Sequence, residues 1–399
     1  MTRTLGVGVL GMGWMGQLHS ASYQRLKYHY PDVNVEPRLV IAADPDEGRQ
    51  QMAVDRLGFA ESTANWKDVL SHPDVDVVSI TTPNFLHREM AVATAEAGKP
   101  FWAEKPLGRY PSDVADVGEA VEQAGVITMV GFNYRYAPAL QRARELIAEG
   151  ALGEITHYRS TFIADYSSHP DGVLTWRFSF EQAGLGILGD LMSHAADMAL
   201  YVLGPIERLT AQRAVFIPTR PKSSGDAESH FARAAEDAEH APVENEDYVS
   251  ALLHFAGGAR GTIETSRVVV GPHVRYVVEA HGTEGAVAWN FERMNELRLY
   301  ERRNQDAGYR TVYAEPGHGD FAHFQPAQGI GMSFDDLKVM EAHQFVSSVV
   351  SGEQLPGGVP DAVAMMQVIS AMERSCESGV WEDVGEITPS MRMSVEGVA

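Results

Sequence analysis

Two short stretches carry ionisable side chains at spacings that suit proton and hydride chemistry. The first is Ala103-Glu104-Lys105-Pro106-Leu107, where a carboxylate and an ammonium stand side by side before a proline. Lysine's ordinary pKa of about 10.4 suits it to stabilising a developing alkoxide rather than to acting as a base. Pro106 disfavours the α region for the residue before it, which gives Lys105 an extended geometry, and such a turn accommodates a cis Lys105–Pro106 bond. The second stretch holds Asp190 and His194, four apart and so on one helical face, with Asp197 three further on. Two readings stand here. In one, Asp190 caps the helix and His194 is a satisfied core histidine. In the other, the carboxylate orients the imidazole and the imidazole accepts a substrate proton. A metal site is set aside, since Asp-x-x-x-His offers two ligands and no third is evident.

A third place would bring a cofactor to these groups. Leu5 to Leu10 reads as a buried strand, running into Gly11-Met12-Gly13-Trp14-Met15-Gly16, a GxGxxG turn. A helix pattern follows to about His29, and a second strand, Val40 to Ala43, ends at Asp44-Pro45. This is the context a dinucleotide fingerprint requires: one glycine for the tight turn, one for close approach to a pyrophosphate, one for helix–strand packing. The helix N-terminus adds unpaired N–H groups toward phosphate. Asp44 at a strand end can accept bonds from ribose hydroxyls and would repel a 2′-phosphate, which favours NAD over NADP. Gly16 and Asp44 are 28 positions apart, a long spacing assigned to a loop insertion over Tyr28 to Pro37.

Strand and helix signals then alternate. Val75 to Ile80 is a strand ending in Thr81-Thr82-Pro83-Asn84, and a helix runs from about Asn84 to Ala97 with His87 in its first turn. A surface or capping role for His87 stands beside a cofactor role. Phe101-Trp102-Ala103 delivers Glu104-Lys105, a helix covers Ser112 to Ala124, and a strand covers Val126 to Val130. Such alternation implies a parallel sheet with ligands beyond the carboxyl ends of its strands. The glycine turn, Asp44, Thr82, Asn84 and Glu104-Lys105 therefore share one sheet edge.

After Gly131-Phe132-Asn133-Tyr134-Arg135-Tyr136 the character changes. One helix, Pro138 to Glu149, precedes long β-type runs with alternating faces and glycine turns, which predict antiparallel hairpins. The fold class is thus α/β: a Rossmann dinucleotide-binding domain over 1–131, then an α+β domain over 132–399 with a large open, mostly antiparallel sheet. Two late helices, Phe334 to Ser351 and Asp361 to Glu377, pack back at a place that periodicity leaves open. Pro218 to Asp247, rich in Glu, Asp, Ala, Ser and Pro, reads as a solvated acidic insertion with one helical turn over Ser229 to Asp237.

The formal charge of −22 disfavours phosphate backbones and anionic lipid, so nucleic acid and membrane are set aside as partners. Cys376 is the single cysteine, which fits a reducing cytoplasm and excludes a disulfide framework. No apolar run nears the roughly 20 residues that span a bilayer, and the N-terminus does not read as a signal peptide.

The motifs together resemble the glucose–fructose oxidoreductase / inositol dehydrogenase / rhizopine-catabolism family, written Gfo/Idh/MocA. The resemblance rests on GMGWMG at Gly11 to Gly16, TPN with His87 three residues on, AGKPFWAEKPL at Ala97 to Leu107, GFNYRY at Gly131 to Tyr136, WRF at Trp176 to Phe178 and GDLMSHAAD at Gly189 to Asp197. It implies NAD(P)-dependent oxidation or reduction of sugars and cyclitols, with Lys105, Asp190 and His194 as catalytic residues. It also implies a homodimer or homotetramer joined through the sheet of the second domain. Cofactor contacts are expected from Gly11, Gly13, Trp14, Met15, Gly16 and Asp44, and from Thr82, Asn84, His87, Glu104, Lys105, Asn133 and Arg177. Polyol contacts are expected from Lys105, Tyr134, Asp165, Trp176, Asp190 and His194, since hydroxyl-rich ligands need several donors and acceptors. Either His194 or Lys105 can serve as proton acceptor. Other uses of the fold are an enzyme that recycles bound NAD internally, a non-catalytic NAD-binding regulator, and an interaction module.

Overall fold

The computed structural model describes residues 3–222, 232–234, 237–302, 308–385 and 387. Compactness divides the chain otherwise than at 131/132: one unit comprises Met1–Gly108, Asp113–Tyr136 and Asp320–Val363, the other Arg109–Ser112, Ala137–Gly319 and Ala364–Ala399.

In the first unit, the described residues form a six-stranded sheet, β1 (Arg3–Leu10), β2 (Val35–Ala43), β3 (Glu61–Thr63), β4 (Val77–Ile80), β5 (Phe101–Ala103) and β6 (Thr128–Val130). The order is β3-β2-β1-β4-β5-β6 and every pairing is parallel. Ala43, Leu10, Ile80, Ala103 and Val130 lie in one register row across it. The residues that follow them, among them Gly11, Asp44, Thr81, Glu104 and Gly131, therefore leave the sheet along a single carboxyl edge. The stretch expected as a loop insertion is instead mostly structured. The first helix runs to His29, and β2 begins at Val35. Pro37 is tolerated inside β2 because β3 pairs only with residues 41–43, so its missing N–H faces no strand.

The helix Phe334–Ser351 belongs to this unit. A capping box, Ser333 with Asp336, starts it, and Gly352 at φ 72° ends it. Its Val339, Ala342, Phe345 and Val346 share the core with Leu5, Val7 and Val9 of β1 and with Trp102 and Met129. Fully burying a side chain such as Phe345 contributes roughly 1.5–3 kcal/mol.

The second unit contains a nine-stranded sheet among its described residues. Its strands are β7 (Ile155–Ala164), β8 (Ile206–Ala214), β11 (Tyr248–Phe255), β12 (Arg260–Ser266), β13 (Val274–Gly282), β14 (Gly285–Asn290), β15 (Glu296–Glu301), β16 (Arg310–Tyr313) and β17 (Glu382–Asp383), while β9 (Thr219–Pro221) and β10 (His240–Pro242) pair separately. The order β16-β15-β14-β13-β7-β12-β11-β8-β17 is antiparallel throughout except for β7 with β12. In β11, Val249, Ala251, Leu253 and Phe255 are buried while Leu252 is half exposed, so the sheet has one covered and one open face.

The acidic insertion is not simply solvated. β9 and β10 pair within it, Arg220 is 1% exposed, and Asn245, Glu246 and Asp247 are buried. Their charge is answered inside the unit. Asp247 accepts from Arg267 Nε at 2.8 Å and from the amides of Phe216 and Ile217. Glu246 accepts from Leu188 N at 2.9 Å. Most of the helical turn expected over 229–237 lies outside the described residues, and Arg233 within it forms a bridge with Gly172.

Candidate active site

The glycine turn has three distinct geometries. Gly11 takes φ 88°, a left-handed conformation open to glycine. A Cβ on Gly16 would stand 2.0 Å from the Gly11 carbonyl oxygen, so helix and strand meet there only without a side chain. At Gly13 a Cβ would meet nothing within 4 Å. That open space at a helix N-terminus, on the carboxyl edge, is where a pyrophosphate approaches backbone in a dinucleotide fold. Trp14 is exposed and its ring stacks with Phe334 at 5.8 Å, while Met15 is partly buried.

Asp44 fastens the turn. Its Oδ2 accepts from Met12 N at 2.7 Å and its Oδ1 from Asp46 N at 3.0 Å. Thr81 Oγ1 donates to the carbonyls of Gly11 and Leu10 from the next strand end. Thr82 is partly buried and Asn84 buried. His87 is neither a surface residue nor a cap. It is 2% exposed, and its two ring nitrogens lie 2.7 Å from the carbonyls of Thr82 and Pro106. Burial lowers its pKa against the pull of both carbonyls. The ring thus ties the end of β4 to the turn that carries Lys105.

At that turn the Lys105–Pro106 bond is cis and Lys105 is partly exposed. Glu104 points inward. Its Oε1 meets His19 Nε2 at 3.1 Å and the ammonium of Lys338. A Cβ on Gly131 would stand 2.8 Å from the Glu104 carboxylate, which explains a glycine after β6. Of the residues just beyond β6, Asn133 is 2% exposed with its Nδ2 buried and unbonded, and Tyr134 packs its ring 6.1 Å from Phe334. An open Gly13, a buried amide donor at Asn133 and a carboxylate at the end of β2 fit a bound dinucleotide.

In the second unit Asp190 takes the position before the helix Leu191–Leu203, but its side chain does not cap that helix. Its Oδ2 accepts from the Tyr166 hydroxyl at 2.7 Å. Burial and the adjacent Asp190 carboxylate raise the Tyr166 pKa well above the phenol range, which keeps it a donor. His194 is buried one turn along, its carbonyl accepts from Tyr276, and its ring lies 6.1 Å from Phe162. The Asp165 carboxylate bonds His273 Nδ1 at 2.7 Å. Trp176 and Arg177 lie in a 3-10 turn, with the Arg177 guanidinium 4.4 Å from the Trp176 ring. That turn is anchored by Asn245, which donates to the Arg177 carbonyl at 3.0 Å, and by Phe178, whose ring lies 4.4 Å from Arg220 and 4.6 Å from Arg267. Sequence reasoning missed Tyr166, although its place directly after a strand and beside Asp165 was a signal. Lys105 thus belongs to the first unit and the Asp190/His194 pair to the second. Among the described residues no group of three or more His, Cys, Asp or Glu side chains is gathered as a metal site requires.

Comparison with known proteins agrees with this layout. Residues 5–132 match the oxidoreductase family model described as an NAD-binding Rossmann fold, and residues 140–288 match the GFO/IDH/MocA C-terminal domain. A levoglucosan dehydrogenase of Pseudarthrobacter phenanthrenivorans is 36% identical over 97% of this chain and 100% of its own length. A scyllo-inositol 2-dehydrogenase (NAD(+)) of Bacillus subtilis is 28% identical over 72% of this chain and 74% of its own. The solved complex of levoglucosan dehydrogenase with NADH and levoglucosan superposes with a TM-score of 0.89, at 34% identity, over 96% of this chain and 100% of that one. With the glycine turn, Asp44 and the Lys105 turn set along one sheet edge, and with both family models matched in order, the chain belongs to the GFO/IDH/MocA family of NAD-binding oxidoreductases.

Proposed function

We propose that this protein is an NAD-dependent dehydrogenase that oxidises a secondary hydroxyl of a sugar or cyclitol, with an anhydrosugar such as levoglucosan as first substrate and inositols next. The observation that carries this is the likeness to a levoglucosan dehydrogenase over 97% of this chain and the full length of that relative. When bound, the nicotinamide supplies the hydride acceptor. The chain's own residues manage the proton and the charge. His194 takes the hydroxyl proton, and Asp190 favours the imidazolium that forms. Tyr166, bonded to Asp190 at 2.7 Å, keeps that carboxylate from turning back to cap its helix. Lys105 donates to the same hydroxyl oxygen and stabilises the alkoxide as it develops. Gly11, Gly13, Trp14, Met15, Gly16, Asp44, Thr82, Asn84, His87, Asn133 and Arg177 belong to the dinucleotide side. Glu104 joins that side through Lys105 rather than by its buried carboxylate. Tyr134, Asp165 and Trp176 belong to the polyol side. The open face of the second sheet, with Leu252 half exposed, is assigned to homo-oligomer formation. No helix among the described residues is long and apolar enough to cross a membrane, and the single cysteine supports a cytoplasmic setting.

The test is a panel of levoglucosan, inositols and glucopyranosides with NAD, read as NADH formation, on the unaltered protein and on Lys105→Ala. Net NADH from one of these sugars is expected, with Lys105→Ala retaining NADH binding and losing about a hundredfold or more in turnover. No NADH from any sugar would refute the activity, and near-normal turnover of Lys105→Ala would remove that lysine from the mechanism.

A further inference from the structure

Behind the Lys105 turn lies a group of charges that the reaction above does not use. Lys338 and Glu341, on the helix Phe334–Ser351, are 1% and 0% exposed. The Lys338 ammonium bonds Glu104 Oε1 and, at 2.8 Å, Glu341 Oε2. His19 lies on the other side of Glu104 at 3.1 Å, its ring stacked on Trp102 at 3.4 Å, and the ammonium sits 5.6 Å from that indole. The Glu104 amide is fixed too, donating to Ile80 O at 2.8 Å. Glu104 is thereby held at its Oε1 and at its amide, and Lys105 is the next residue.

A buried ion pair is a poor device for stability alone, since apolar side chains of the same volume often do as well or better. What it supplies is direction: a charge-assisted bond fixes a carboxylate in one orientation. We propose that Lys338 is a positioning residue for the dehydrogenase reaction, holding Glu104 so that the Lys105 ammonium stays where the substrate hydroxyl reacts. This rests on the reading of Lys105 as a catalytic residue.

The test pairs Glu104→Gln with Lys338→Met, which leaves no unanswered charge on Glu104. Melting temperature, NADH affinity by fluorescence, and kcat and KM are measured with NAD and whichever of levoglucosan or myo-inositol is turned over. The doubly substituted protein is expected to fold and to bind NADH within about threefold of the unaltered protein, while kcat falls about tenfold or more through misplacement of the lysine. In a Lys105→Ala background the same pair of changes should cost less than about twofold, because both act through one group. A kcat within twofold in the folded double variant, or a full additional loss on top of Lys105→Ala, overturns the proposal. Should the double variant not fold, Glu104→Gln alone, which leaves Lys338 its bond to Glu341, reads the same kcat. There, too, an unchanged kcat overturns it. If Lys105→Ala itself turns over normally, the catalytic reading of Lys105 fails first, and that result is distinct.

Discussion

Replacing Glu341 by Gln should change how stability depends on pH, by an amount the buried cluster sets. Two carboxylates, Glu104 and Glu341, share the single Lys338 ammonium, with His19 and the Trp102 ring completing the enclosure. Burial, aided by the Glu104 charge and opposed by Lys338, holds the Glu341 carboxyl up to about 7 from its ordinary 4.5. Burial, aided by Lys338 and opposed by Glu104, pushes the His19 imidazole down to about 4 from 6.5. Folded Glu341 binds its proton more tightly than unfolded, so its contribution is complete below pH 4.5 and is lost as pH rises through 7. At about 1.36 kcal/mol per pH unit that loss is about 3 kcal/mol. Folded His19 binds its proton more weakly, so its contribution is complete above pH 6.5 and is lost as pH falls toward 4, by a similar amount. Between pH 4.5 and 6.5 the two slopes oppose each other in the unaltered protein. Glu341→Gln removes one of them. Relative to the unaltered protein, the variant should therefore be weaker by about 3 kcal/mol more at pH 4.5 than at pH 7. Urea unfolding at fixed salt, followed by tryptophan fluorescence, measures the gap, with Trp102 reporting from beside the cluster. A gap constant to within about 1 kcal/mol across that range would refute the reasoning.

Two further outcomes follow from contacts already described. Asp247→Asn removes the charge facing Arg267, 3% exposed, and should destabilise the second unit by about 3–5 kcal/mol in urea unfolding; a cost below about 1 kcal/mol would show that Asn245 suffices to answer that guanidinium. Gly16→Ala puts a Cβ 2.0 Å from the Gly11 carbonyl and must push helix from strand, so NADH affinity by fluorescence titration should weaken about tenfold or more, and an unchanged affinity would show that the turn adapts.

The sequence by itself determined what local pattern and short spacing encode. The strand, glycine turn and strand-end Asp44 were legible because each signal lies within one βαβ unit, where hydrophobic period and turn chemistry act together. The parallel sheet followed from alternation, and the register row from Ala43 to Val130 then set those strand ends on one edge. The open sheet of the second unit was legible from its period of two. Only the tertiary structure decided which charges lie inside. Lys338 reaches Glu104 across 234 positions of sequence, on a helix whose packing place periodicity left open. Arg220 and Asn245-Glu246-Asp247 read as part of an acidic surface excursion, yet they are buried against Phe178, Arg267 and Leu188. The reason is physical. An apolar residue's preference for the interior is a property of that residue and shows in a short window, whereas a charged residue is buried only where a distant partner answers it, and that pairing exists only once the chain has folded.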